Sequence, residues 1–376
     1  MNNYSKDLLQ FLDASPVNFL AVKETAKRLE AKGYKRINAE DRITDVKAGD
    51  KFYVTKNDSS IYAFHIGRKS LGEGGFHIIC AHSDSPTFRI KPNAEMTCER
   101  GITKLNTEVY GGAILSTWFD RPLSIAGRVI VRSNDVMNPD TKLICIKRPI
   151  LIIPNLAIHF NRQVNDGVAL SKQKDMLPIL GIVNSELERG NLLINLITEE
   201  LGIKSTDILD FDLYLYDTTP ACHVGAHNEF ISAGRIDDLS MVHAGLSVLL
   251  ADTENIPETT KVLGIFDNEE TGSQTKQGAG SPFLSTILKR IALAQSGTEE
   301  ALTEGRAFSR SAESMQASLC SRSIEAFYQA VERAFMISAD NAHAWHPNYN
   351  EKYDPTNHPV LGGGPVIKFN AAQKYA

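Results

Sequence analysis

Three short apolar runs end on side chains that bind metal ions. Gly75-Phe76-His77-Ile78-Ile79-Cys80-Ala81 leads into His82-Ser83-Asp84-Ser85-Pro86, and Val262-Leu263-Gly264-Ile265-Phe266 leads into Asp267-Asn268-Glu269-Glu270-Thr271-Gly272. The third run ends at Ser338-Ala339-Asp340, with His343 and His346 just beyond. A further acidic pair, Asp237-Asp238, precedes a helical stretch at Leu239, where it either caps the helix or reaches a metal. Singly, each signal is weak. His82-x-Asp84 alone reads as a surface turn, Glu269-Glu270 as a solvated loop and Asp340 as a turn residue. Their joint occurrence points to chemistry, because His, Asp and Glu are the ligand set of hydrolytic zinc or cobalt sites. Groups at the carboxyl ends of neighbouring strands in an α/β sheet can also converge in space.

The residue types match a defined task. Two divalent ions roughly 3.5–4 Å apart need a bridging carboxylate and terminal ligands on each side. A nearby carboxylate outside the ligand set must then take the proton of the attacking water and pass it on. Adjacent glutamates divide these duties well, since successive side chains on an extended backbone point to opposite sides. Competing readings are poorer. Cys222-His223 with His227 lacks a second cysteine pair and reads as a plain loop. Gly362-Gly363-Gly364-Pro365 lacks the Lys-Ser/Thr of a phosphate-binding loop, and no Gly-x-Ser-x-Gly elbow occurs.

The elements that must position these groups follow from periodicity. Leu8, Leu9, Phe11 and Leu12 predict a helix that breaks at Ser15-Pro16, and Phe19, Leu20, Val22, Ala26 and Leu29 predict a second that stops at Gly33. From about Lys91 to Glu229 the chain turns β-rich, with short pieces at 115–119, 126–131, 143–146 and 150–153, and a weak helical pattern only at 192–201. Leu239–Leu250 is a helix with a broad apolar face, and 262–266 is a buried strand. Residues 295–316, poor in large apolar groups, read as a surface loop of the kind that forms lids. Ile324, Phe327, Tyr328, Val331 and Phe335 mark an amphipathic helix. The middle stretch reads as a β-rich domain inserted into an α/β one.

Composition bounds the rest. At about 150 residues per domain, 376 residues suggest two domains or one with an insertion. A net charge of −5 without a dominant basic stretch argues against nucleic acid as a partner. Five scattered cysteines form no disulfide framework. No apolar run approaches the about 18 residues that span a bilayer, and the first residues lack the pattern of a signal peptide. The expectation is a cytoplasmic enzyme with no membrane partner.

The motifs Ala81-His82-Ser83-Asp84-Ser85-Pro86, Gly234-Arg235-Ile236-Asp237-Asp238-Leu239, Phe266–Ser273 and Ser338–Tyr349 resemble the aspartyl aminopeptidase family of dinuclear metallopeptidases, in family order and over nearly the whole chain. The resemblance implies a zinc-peptidase-like mixed sheet flanked by helices, formed by residues 1–92 and 231–376, with an inserted β-rich dimerisation domain at 93–230. It implies two divalent ions, zinc with cobalt or manganese as alternatives. His82 and Asp340 hold one ion, Glu270 the other, and Asp237 bridges them. Glu269 is the general base and acid, and Asp84 supports the site. His159, His343, Lys368 and Tyr375 are implied as substrate-binding, with His159 reaching the partner subunit's active site and Lys368 and Tyr375 contacting an acidic first side chain. The implied substrates are peptides with N-terminal Asp or Glu, and the implied assembly is a homodimer building a dodecamer.

The family pattern continues beyond Asn370 with another strand, a helix and a final histidine ligand, whereas no histidine follows His358 here. The sequence therefore reads as a shortened chain. Two alternatives to the acidic-residue aminopeptidase stay open: a catalytically impaired subunit with a structural role, and an aminopeptidase that prefers neutral N-terminal residues.

Overall fold

The computed structural model describes residues 3–183, 190–303, 312–369 and 371. Helices α1 (Asn3–Ala14) and α2 (Asn18–Glu30) open the chain. Strands β1 (Lys35–Arg36), β2 (Lys51–Lys56) and β3 (Ser60–His65), the one-turn helix α3 (Leu71–Gly74) and β4 (Phe76–His82) follow. Next come β5 (Thr87–Thr97), β6 (Ile102–Tyr110), β7 (Leu123–Val131), β8 (Asp140–Cys145), β9 (Ile179–Ile182), α4 (Leu192–Leu201) and β10 (Ile208–Asp217). A small ribbon of β11 (Cys222–Val224) and β12 (Phe230–Ser232) leads into α5 (Ile236–Leu250) and β13 (Thr260–Phe266). The described elements end with α6 (Phe283–Thr303), α7 (Ala312–Glu332) and β14 (Phe335–Ser338).

The first sheet has the order β1-β2-β3-β13-β4-β14. Strands β13, β4 and β14 run parallel, while β3 is antiparallel to both β13 and β2. Alternation along these strands separates two cores. Phe52, Val54, Tyr62, Phe64, Ile78 and Val262 face Leu284, Ile287 and Ile291 of α6 and Phe327 of α7. The intervening residues Tyr53, Ile61, Ala63, Leu263 and Ile265 belong to a cluster with Phe11, Val22 and Leu29 of α1 and α2 and with Leu239, Val242 and Leu246 of α5. Burying each such Leu, Phe or Ile contributes about 1.5–3 kcal/mol, which explains why the runs are apolar without a polar face.

One glycine sets the helix–sheet distance. A Cβ on Gly245 of α5 would lie 2.9 Å from Leu263 Cδ1 and 3.0 Å from Ile79 Cγ2. Its absence lets α5 settle close to β4 and β13, and that places the first turn of α5 at the carboxyl edge of the sheet.

The second sheet has the order β8-β7-β10-β5-β6-β9 and is antiparallel throughout. It buries Phe88, Leu105, Ile125, Val129 and Leu213 with Leu193 and Ile197 of α4. Val17 and Phe19 pack on its Ala126, Tyr214 and Tyr216, with the Arg128 guanidinium 4.5 Å from the Phe19 ring centre. The fold is a mixed α/β one with sheets flanked by helices. Among the described residues, no helix is long and apolar enough to cross a membrane.

Local expectations differ in four places, the first being Phe335, which opens β14 instead of extending α7. Leu115–Trp118 forms a tight 3-10 turn rather than a strand, because Leu115 and Trp118, three residues apart, turn the same way onto the second core. Residues 150–153 make only isolated bridges. The expected surface loop at 295–316 is helical through Thr303 and again from Ala312, with residues 304–311 outside the described set. Its Glu, Ala, Leu and Gln residues are good helix formers even without a strong apolar stripe.

Candidate metal centre

The parallel register aligns three strand ends. His82 pairs with Phe266 across β4 and β13, and Cys80 pairs with Ser338 across β4 and β14. The chain therefore leaves all three strands at one edge, carrying His82-Ser83-Asp84, Asp267–Glu270 and Asp340 there together. Asp237 and Asp238 come to the same edge at the start of α5, where Asp237 has extended φ and ψ of −81° and 113° and the Asp237–Asp238 peptide is cis.

His82 lies at the middle of this cluster. Its Nε2 is 3.4 Å from Asp237 Oδ1, 3.9 Å from Glu269 Oε2 and 4.0 Å from Asp238 Oδ2. One ligand atom from each of His82, Asp237, Asp238 and Asp340 lies within 4.8 Å of the others. On the far side of the ring, His82 Nδ1 is 3.1 Å from the Asp84 carbonyl oxygen and 3.4 Å from Asp84 Oδ1. A hydrogen bond from Nδ1–H there leaves Nε2 as the free ligand nitrogen.

Two buried carboxylates hold this arrangement. Asp84, only 2% exposed, accepts the backbone N–H of Glu269 on Oδ1 and of Glu270 on Oδ2, both at 3.2 Å. Tyr110 donates its hydroxyl to Asp84 Oδ2 at 2.7 Å. Asp238, fully buried, accepts the His82 N–H at 3.1 Å and the Asn341 side-chain amide at 3.2 Å. Both of its oxygens are thus engaged in tying β4 to the segment after β14. The solvent-facing members of the cluster are Asp237 and Asp340, each about half exposed.

The electrostatics describe an excess of carboxylates around one imidazole. Burial acts to lower the His82 pKa, but hydrogen bonds to Asp237 and Asp84 and the charge of Asp238 outweigh it and hold the ring up at about 11. The His82 hydrogen bond keeps Asp237 below the ordinary carboxylate range. Burial, with Asp340 and Asp237 adding repulsion, pushes Asp238 up to about 8. Burial followed by repulsion from Asp84 takes Glu270 up to about 7, and burial also raises Glu269. A divalent cation answers this crowding: it takes the imidazole nitrogen as a ligand and neutralises several carboxylates at once. One imidazole with carboxylate oxygens is a donor set suited to zinc.

The other expected residues divide. Glu270 neighbours the centre through its backbone contact with Asp84, but its carboxylate is outside the four-residue group. Gly111, with φ of +69°, backs it, since a Cβ there would lie 3.0 Å from Glu270 Cβ. Lys368 Nζ is 3.7 Å from Asp340 Oδ2 and donates to the Asn341 carbonyl at 3.3 Å. His343 stands exposed shortly after Asp340, and His159 is exposed on a turn at Ile158–Phe160. Tyr375 lies outside the described residues. A cavity of about 430 Å³ adjoins the centre, lined by Asp84, Ser85, Asp237, Trp118, Tyr216 and Arg235 among others.

The sequence assigned no role to Tyr110, Asn268 and Asn341, and the residue pattern alone did not separate Asp237 from Asp238, which only the family resemblance distinguished. Tyr110 had one available signal. It ends a β-rich run just before Gly111-Gly112, the same kind of polar strand ending that drew attention to His82 and Asp340.

Residues 11–376 match the family profile described as aminopeptidase I zinc metalloprotease (M18). A probable M18 family aminopeptidase 2 of Clostridium acetobutylicum is 49% identical over 372 residues, covering 99% of this chain and 79% of that protein. Among solved structures, a chain in the cryo-EM structure of the Ape4 and Nbr1 complex is 32% identical with a TM-score of 0.83, covering 95% of this chain and 67% of that one. Chaetomium thermophilum mApe1 is 30% identical with a TM-score of 0.79, over 95% of this chain and 78% of that one.

Proposed function

Because this chain belongs to the M18 family of zinc aminopeptidases, we propose that it removes single N-terminal Asp or Glu residues from peptides at the centre around His82. The observation that carries this reading is the meeting of His82, Asp237 and Asp340 beside the Glu269 carboxylate. In it, His82 and Asp340 would hold one zinc ion, Glu270 would hold a second, and Asp237 would serve both. Bound zinc supplies the positive charge that makes water nucleophilic near neutral pH and polarises the scissile carbonyl.

The chain's own groups do the rest. Glu269 Oε2 accepts the proton of the attacking water and delivers it to the departing amine nitrogen. Asp84 orients the His82 ring and the backbone of Glu269 and Glu270. His343 contacts the peptide in this reading, and Tyr375 joins Lys368 in reading the first side chain.

Lys368 supports an acidic preference, because its ammonium already sits against a carboxylate at the edge of the centre. A substrate carboxylate offers the same partner. Lys368→Ala should lower kcat/KM for peptides starting with Asp or Glu by about 10- to 150-fold, the range of a charge-assisted contact, with little change for those starting with Ala or Leu. Equal losses on both classes would remove Lys368 from specificity. A parent enzyme that prefers Leu would overturn the acidic assignment and leave the metal chemistry standing.

The proposed assembly is a homodimer that builds a dodecamer, with His159 reaching a neighbouring subunit's site. Supporting it, Leu156, Ile158 and Phe160 around His159 are exposed, Phe160 at 82%. Covering them would remove apolar surface from water. Light scattering should give a mass that is a multiple of the 41.4 kDa chain, and Phe160→Asp should reduce it. A monomeric parent would refute the assembly.

A further inference from the structure

The second sheet reaches the centre through one hydroxyl. Tyr110, the last residue of β6, stands between Asp84 and Asn268 and contacts both. Its hydroxyl lies 2.7 Å from Asp84 Oδ2 and 2.8 Å from Asn268 Nδ2. The direction of each bond is determined. Asn268 Oδ1 accepts from Thr275 Oγ1 at 2.8 Å and from Gln277 Nε2 at 2.9 Å, which orients the amide with Nδ2 toward the tyrosine. An amide nitrogen only donates, so the tyrosine oxygen is the acceptor there and its own proton points at Asp84.

Asp84 in turn holds the backbone N–H of Glu269 and Glu270 and faces His82 Nδ1. Asn268 is the residue immediately before Glu269, with φ of 60° and ψ of 27°. Tyr110 therefore grips the loop carrying the two glutamates at two points, through Asp84 and through Asn268. It does so from a different sheet, with its ring edge-on to Tyr214 at 5.6 Å.

We propose that Tyr110 is a positioning residue for the peptidase reaction: its hydroxyl donates to Asp84 and thereby sets the orientation of Glu269 and Glu270 from the second sheet. This inference rests on the aminopeptidase reading above. Tyr110→Phe keeps the ring and its packing and removes only the hydroxyl. It should lower kcat by about 10- to 100-fold, the usual consequence of losing an outer partner of a metal site, with KM within about twofold. Zinc content should match the parent. Tyr214→Phe, which alters the same ring pair without touching Asp84, should keep the parent kcat.

A double-mutant cycle gives a readout independent of turnover. The thermal-midpoint losses of Tyr110→Phe and Asp84→Ala should fall short of adding in the double variant, because both remove the same bond. Parent-like kcat in Tyr110→Phe, an equal loss in Tyr214→Phe, or fully additive midpoint shifts would each overturn the proposal. A parent that releases no N-terminal residue from any peptide would instead sink the aminopeptidase reading, so the two failures are distinguishable.

Discussion

Glu269→Gln should lower kcat by about 10²–10⁴-fold, the range supplied by a positioned general base, with zinc content and thermal midpoint at parent values. The replacement keeps the size of the side chain and its backbone N–H to Asp84, so the loop geometry survives. What disappears is the oxygen that accepts a proton. Glu269 suits the task because its carboxylate is half exposed and Oε2 lies 3.9 Å from the ligand nitrogen of His82, outside the four-residue group. Burial and the neighbouring Asp340, Asp84 and Asp237 raise its pKa above the ordinary glutamate value. Single-turnover measurements on an Asp- or Glu-initiated peptide test this directly. Turnover within a few-fold of the parent would transfer the proton to another group.

Asp237→Ala should cost more than a missing outer partner, whose loss weakens metal affinity or activity by about 10–100-fold, because a ligand itself is removed. Zinc per chain, measured by elemental analysis after dialysis, should fall, and activity should fall with it. The change should spare the fold: the Asp237 side chain is about half exposed and belongs to a group of mutually repelling carboxylates. Asp238→Ala should behave oppositely. That side chain is fully buried and accepts bonds from His82 N–H and Asn341, so its loss leaves the buried His82 N–H without its acceptor, takes one of the acceptors of Asn341 and lowers the thermal midpoint. Unchanged zinc and turnover in Asp237→Ala would refute the bridging assignment.

The contrast between these neighbours shows where sequence reading stops. Both are acidic residues at a helix start, and nothing local separates them. Their difference arises from partners 156 and 103 positions away, His82 and Asn341, which bury one carboxylate and leave the other facing the open site. Tyr110 is a similar case, with partners 26 and 158 positions distant. Glu269 and Glu270 stood out more easily, because a polar pair directly after an apolar run marks a strand end without reference to any other segment.

The amino-acid sequence by itself determined the strands near 75–81 and 262–266, the helix after Asp238 and the metal-binding types at their ends, because apolar periodicity and residue chemistry are local properties. It also determined the β-rich character of the middle stretch, through short apolar pieces separated by turns. The helical continuation through 295–303 was missed because its residues favour helix by intrinsic propensity, while the reading relied on an apolar face. Tertiary structure alone decided that β4, β13 and β14 run parallel and in register, and this register together with the docking of α5 gathers His82, Asp237 and Asp340 into one cluster that could hold an ion. It also decided that Tyr110 of the second sheet meets Asp84 of the first. Such contacts depend on how separate sheets and helices pack, and long-range packing leaves no period in the sequence of either partner.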